Sequence, residues 1–63
     1  MDRNSDNKIL IVEDDETLLA MYKDRFQKEG INVLEARNGE EAIPIALGEN
    51  PKVILLDLML PEK

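Results

Sequence analysis

Two short runs dominated by apolar residues, Lys8-Ile9-Leu10-Ile11-Val12 and Val53-Ile54-Leu55-Leu56-Asp57, constrain this chain more than any other feature. Each is too short for a stable helix, and neither alternates apolar with polar positions. A run of that kind suits a strand covered on both faces, as in a parallel sheet with helices on either side. The chain between them has helical marks. Residues 17–29 set Leu18, Leu19, Tyr22 and Phe26 at helical spacing, with acids before them and Lys28 near the end, an order that complements the helix dipole. Gly30 followed by Ile31 reads as a left-handed stop. Residues 31–36 read as a further strand, near solvent because Asn32 and Glu35 interrupt it. A second helix opens at Asn38, a capping residue with Glu40 and Glu41 behind it, and is stopped by Gly48, Glu49, Asn50 and Pro51. Pro44 lies beyond its first turn, where it removes an amide donor and crowds the Glu40 carbonyl, so a bend or a late start is expected.

Strand–helix–strand–helix–strand with short connections implies an α/β fold with right-handed crossovers and a three-stranded parallel sheet in the order 2-1-3. The second crossover runs back past strand one, so the two helices are expected on opposite faces. Residues 1–7 are polar and aperiodic and read as a disordered leader; residues 8–63 then form a single domain that closes on a loop over residues 58–63. With 63 residues the core is small, and small cores commonly lean on a disulfide, a metal or a second chain. The chain has no Cys and no His, which removes disulfides, zinc ligation and His-based triads together. A second chain or an oxygen-ligated cation remains. Fourteen acidic residues against eight basic ones give a net charge of −6, an imbalance that argues against nucleic acid and anionic membranes. No stretch approaches the ~20 apolar residues of a membrane span and no apolar signal core is present, so a soluble, cytoplasmic protein is expected.

In an open parallel sheet, ligands sit beyond the carboxyl ends of the strands, where strand order reverses. Here that point falls between strands one and three. Strand one runs out into Glu13, Asp14 and Asp15; strand three runs out into Asp57. Neighbouring strands lie about 4.8 Å apart, so Glu13, Asp14 and Asp57 are within reach of one ion. Two like charges at 4 Å repel by about 1 kcal/mol in water and several-fold more near a protein surface, so such a cluster calls for a cation. Magnesium suits it, because Mg2+ takes a few carboxylate or carbonyl oxygens and keeps waters that a phosphate oxygen can displace. Asp15 and Glu16 have a plainer role as a helix cap and a dipole partner. Asp57 has no visible capping duty.

These residues resemble a known family. Lys8-Ile-Leu-Ile-Val-Glu-Asp-Asp15, Asn38-Gly-Glu-Glu-Ala42 and Val53-Ile-Leu-Leu-Asp-Leu-Met-Leu-Pro61 look like the first half of a receiver domain of bacterial two-component response regulators, over residues 8–63. The resemblance implies half of a flavodoxin-like fold. It implies that Asp57 is the phospho-acceptor, attacking a phosphohistidine on a sensor histidine kinase. It implies that Glu13 and Asp14 hold Mg2+, Asp14 directly and Glu13 through water, with Asp57 and the backbone carbonyl of Met59 completing the protein ligands. Pro61 matches the proline that shapes the loop. The chemistry agrees with the residues, since phosphoryl transfer needs an in-line carboxylate and a cation to neutralise the oxygens.

The family pattern extends to about twice this length, adding a hydroxyl residue after a fourth strand and a lysine after a fifth. Lys63 follows the wrong strand to supply the latter, so an incomplete acceptor is expected. An alternative is a non-catalytic half-domain that self-associates as a homodimer through strand three, whose apolar edge would be unpaired. Metal-dependent aspartate hydrolases fit less well: they want a second Asp two residues after the first, and Met59 stands there.

Overall fold

The structure is a computed structural model and describes residues 7–56. Asp57, the loop of residues 58–63 and residues 1–6 of the expected leader lie outside the described residues. Five elements follow one another: β1 (Lys8–Val12), α1 (Glu16–Lys28), β2 (Asn32–Ala36), α2 (Gly39–Glu49) and β3 (Val53–Leu56). The strands form one parallel sheet in the order β2-β1-β3, as the strand pattern predicts. Asn7 already joins it, its carbonyl accepting the Asn32 N–H at 2.9 Å.

β1 is the central strand, and its apolar residues are covered on both faces. Leu10 and Ile11 are fully buried, and Ile9 and Val12 nearly so. Leu10 and Val12 cluster with Ala36 on one face, where Leu34 and the α2 residues Ala42, Ile45 and Ala46 pack against them. The opposite face is that of Ile9, which shares an apolar hollow of about 460 Å³ with Phe26 of α1, Ile31, Val53 and Leu55. The helices therefore sit on opposite faces, the outcome of two right-handed crossovers, β1 to β2 and then β2 back past β1 to β3, that run across the sheet in opposite directions.

Helix boundaries follow from the caps. Asp15 has extended backbone and its Oδ1 accepts the N–H groups of Thr17 and Leu18 at 2.9 and 3.1 Å, so α1 starts at Glu16. At its other end Gly30 takes φ +82°, its N–H donates to the Gln27 carbonyl, and the Ile31 N–H donates to that of Phe26. This paired closure needs a left-handed residue, and it uses the Ile31 amide, so β2 begins at Asn32, one residue later than the apolar pattern suggests. In α2 the Asn38 Oδ1 accepts the Glu41 N–H, and the Glu41 Oε1 accepts the Arg37 N–H, both at 2.9 Å. With its first turn fixed in this way, α2 starts at Gly39 despite Pro44, which lies inside the helix. The expected late start does not occur. Gly48 also stays helical, and Asn50 supplies the left-handed stop at φ 52°.

β3 is the least covered element. Val53, Ile54 and Leu56 are 54%, 49% and 53% exposed, in contrast to the buried residues they pair with on β1. Among the described residues both helices pack chiefly over β2 and β1, which leaves these three β3 side chains exposed. Among the described residues, no helix is long and apolar enough to cross a membrane.

Candidate functional site at the carboxyl end of the sheet

The parallel register brings the carboxyl ends of all three strands to one rim. Val12 is level with Ala36 on one side and with Leu56 on the other. The chain leaves β1 as Glu13, whose N–H donates to the Ala36 carbonyl at 2.9 Å and extends the β1–β2 ladder by one bond. The Glu13 side chain is buried at 8% exposure, and its Oε2 accepts the Asp15 N–H at 2.8 Å. That bond folds the acid back over the turn and fixes its carboxylate at the rim. Asp14 is exposed and makes no hydrogen bond or ion pair among the described residues.

Three consecutive acids thus have three different situations. Glu13 is held, Asp14 projects, and Asp15 is spent on capping α1, as its position before the helix predicts. Glu16, also assigned to the helix start, pairs through Oε2 with the Arg37 guanidinium at 2.7 Å. Sequence reasoning did not single out Arg37, which ties the end of β2 to the start of α1. No local motif announces that pair, because it depends on β2 and α1 meeting in space. A second ion pair, Lys23 with Glu35 at 2.8 Å, joins the same two elements lower down. The first turns of both helices open at this rim, and their partial positive charge favours anions there.

The donor set can be weighed against a hard cation. Asp14 offers an exposed carboxylate, suited to direct ligation. Glu13 has one oxygen engaged by a backbone amide and sits deeper, which suits contact through a bound water. Both offer only oxygen, the chemistry Mg2+ requires. Among the described residues no three acids gather closely enough to hold an ion. The remaining members of the expected set, Asp57 and the Met59 carbonyl, lie outside those residues.

A family model described as the response regulator receiver domain matches residues 9–63. The chain belongs to that family. It is 44% identical over 57 residues to the transcriptional regulatory protein CpxR of Klebsiella pneumoniae, a match covering 90% of this chain and 24% of that protein. It is 45% identical over 56 residues to the transcriptional regulatory protein SrrA of Staphylococcus aureus, covering 89% of this chain and 23% of that one. The receiver chain spans about a quarter of the length of these curated relatives. No solved structure matches it. Receiver domains of this family generally bind Mg2+. In this receiver Glu13 and Asp14 are the described acids at the rim.

Proposed function

We propose that this receiver accepts a phosphoryl group on Asp57 from a phosphohistidine of a sensor histidine kinase, in the cytoplasm and with Mg2+ bound. The observation that carries the reading is the pairing of Val12 with Leu56. Glu13 follows the first and Asp57 follows the second, each by one peptide step of about 3.8 Å, on strands about 4.8 Å apart. Continuing that register would set the Asp57 carboxylate beside the fixed Glu13 and the exposed Asp14.

In the transfer, a carboxylate oxygen of Asp57 forms the new O–P bond as the N–P bond to the imidazole breaks, and the electron pair returns to the imidazole nitrogen. Bound Mg2+ would supply charge neutralisation for the phosphoryl oxygens, held by Asp14, Asp57 and the Met59 carbonyl, with Glu13 acting through water. The buried Glu13, tied to the Asp15 amide, keeps the negative charge of the site oriented. Acceptance is stoichiometric, so the chain acts as a signalling acceptor rather than a turnover enzyme. The exposed apolar edge of β3 supports a further reading: this chain also associates with a second copy of itself.

The acceptor reading is tested with a small phosphodonor. Incubated with Mg2+ and acetyl phosphate, the chain is expected to gain the mass of one phosphoryl group, and Asp57→Asn is expected to abolish the gain. A gain that persists in Asp57→Asn would place the chemistry on another residue.

A further inference from the structure

The turn that carries Asp14 runs only from Glu13 to Asp15, between the end of β1 and the start of α1. It is tied down at both ends, to Ala36, the last residue of β2, and to Arg37, which follows it. Before Asp14, the Glu13 N–H donates to the Ala36 carbonyl at 2.9 Å. After it, Glu16 in the first turn of α1 pairs with the Arg37 guanidinium at 2.7 Å. Arg37 is itself held, since its N–H donates to Glu41 Oε1 and the Glu41 N–H donates to Asn38 Oδ1, both at 2.9 Å. Within the turn, the Asp15 N–H bonds back to the Glu13 carboxylate at 2.8 Å. Asp14 is thus the crest of an arch whose two feet stand on neighbouring residues.

We propose that Arg37 is a positioning residue for the Mg2+ ligand Asp14, acting through Glu16 to hold the arch in one shape before the cation arrives. The proposal rests on the acceptor reading, in which Asp14 and Glu13 face the ion, and adds a residue that touches neither the ion nor the phosphoryl group. Glu16 is the first residue of α1, so its tie fixes the place from which the helix departs. Asp15 caps that helix through Oδ1 and moves with it. Glu13 is fixed to β2 by its own backbone, so any shift of the α1 start is taken up within the turn, where Asp14 is bonded to none of the described residues. Mg2+ demands near-ideal octahedral geometry, and a loosely held carboxylate binds it less well than a preset one.

α1 leans on β2 through two ion pairs, and only that of Arg37 is beside the arch. Further along α1, Lys23 pairs with Glu35 at 2.8 Å, and the buried Leu19 lies between the two pairs. At 1.5 Å per residue the second pair is about 10.5 Å from the first along the helix axis. Both pairs are partly exposed, so each is individually weak and their contributions to stability are similar. Their consequences for a cation differ: the Arg37 pair bounds the arch, whereas the Lys23 pair docks the middle of the helix. Sign also separates positioning from plain charge. A guanidinium near the rim repels a cation, so its field alone predicts that losing Arg37 strengthens Mg2+ binding; lost positioning weakens it.

Calorimetric titration of the 63-residue chain with Mg2+ tests this with charge-balanced double variants. Combining Glu16→Gln with Arg37→Gln removes one charge of each sign and is expected to lower Mg2+ affinity about three- to fivefold. Combining Lys23→Gln with Glu35→Gln is expected to lower the melting temperature by a similar amount while leaving Mg2+ affinity within about 1.5-fold. Arg37→Lys, which can keep the pair with Glu16, is expected to hold wild-type affinity within the same margin. In the metal-free chain, the Asp15 amide is expected to exchange with deuterium at least about threefold faster in the first double variant and at an unchanged rate in the second. Equal Mg2+ affinities in the two double variants, both reduced or both unchanged, overturn the positioning role of Arg37 while leaving Asp14 as a ligand. Unchanged exchange of the Asp15 amide in the first double variant overturns it as well. If the unsubstituted chain binds no Mg2+, or Asp14→Ala binds it as tightly, the acceptor reading itself fails and the proposal falls with it.

Discussion

Replacing Asp14 with Ala is expected to weaken magnesium binding by at least about tenfold, while Asp15→Ala leaves it within about twofold. The two residues are adjacent in sequence and chemically alike, yet their surroundings differ. Asp14 is exposed and bonded to none of the described residues. The Asp15 carboxylate already accepts two α1 amides. Removing the latter should instead cost about 1 kcal/mol of stability, the usual effect of losing a helix cap. In a chain of this size that lowers the melting temperature by about 4–8 °C. The bond that steadies Glu13 survives in Asp15→Ala, because it comes from the backbone N–H of residue 15 and not from its side chain. Calorimetric titration with Mg2+ and a thermal melt of each variant separate the two roles. Equal losses of magnesium affinity would mean that the direct ligand has been wrongly chosen.

The largest loss of stability is expected at Leu10. Its side chain is fully buried in the central strand, against Val12, Ala36, Leu34 and the underside of α2. Leu-to-Ala changes at such positions cost about 2–5 kcal/mol, since the lost transfer energy is compounded by a cavity. At about 0.05–0.15 kcal/mol per residue, a domain this small has a total stability of the same order. Leu10→Ala is therefore expected to abolish the cooperative melt seen by circular dichroism. Leu56→Ala, at a position 53% exposed, is expected to change stability by no more than about 1 kcal/mol. A cooperative, wild-type-like melt for Leu10→Ala would show that the core lies elsewhere.

Most of the fold was legible in the sequence because it is written in local signals. Apolar runs flanked by turn residues marked the strands, Asp15 and Asn38 marked the helix starts, and the left-handed Gly30 marked the end of α1. With β1 placed between β2 and β3, the handedness of the crossovers then put the helices on opposite faces. The departures are cases where a local cost was outweighed. Pro44 deletes one bond from α2, but the reciprocal contacts of Asn38, Glu41 and Arg37 already fix the first turn, so the helix begins on time. Gly48 has backbone freedom that favours a stop, yet the helix runs on and Asn50 ends it instead.

The candidate site was legible in kind and less so in detail. That Glu13 and Asp14 come to one rim follows from their place after a central strand. That Glu13 is buried and tied to the Asp15 amide, whereas Asp14 projects, is a property of how the chain turns after Val12, and identical residue classes give no hint of it. The Arg37–Glu16 pair was invisible for a related reason: its partners are 21 positions apart and meet only once β2 lies beside α1.

The central claim is that the acids following β1 and β3 share one cation. Manganese can replace magnesium at oxygen-ligated sites, and its unpaired electrons broaden the NMR signals of nearby amides. Titrating the 63-residue chain with substoichiometric Mn2+ is expected to broaden the amide signals of Glu13, Asp14 and Asp57 together, and to spare Lys8, about 16 Å away along β1. Broadening of Glu13 and Asp14 with a sharp Asp57 signal would contradict the account.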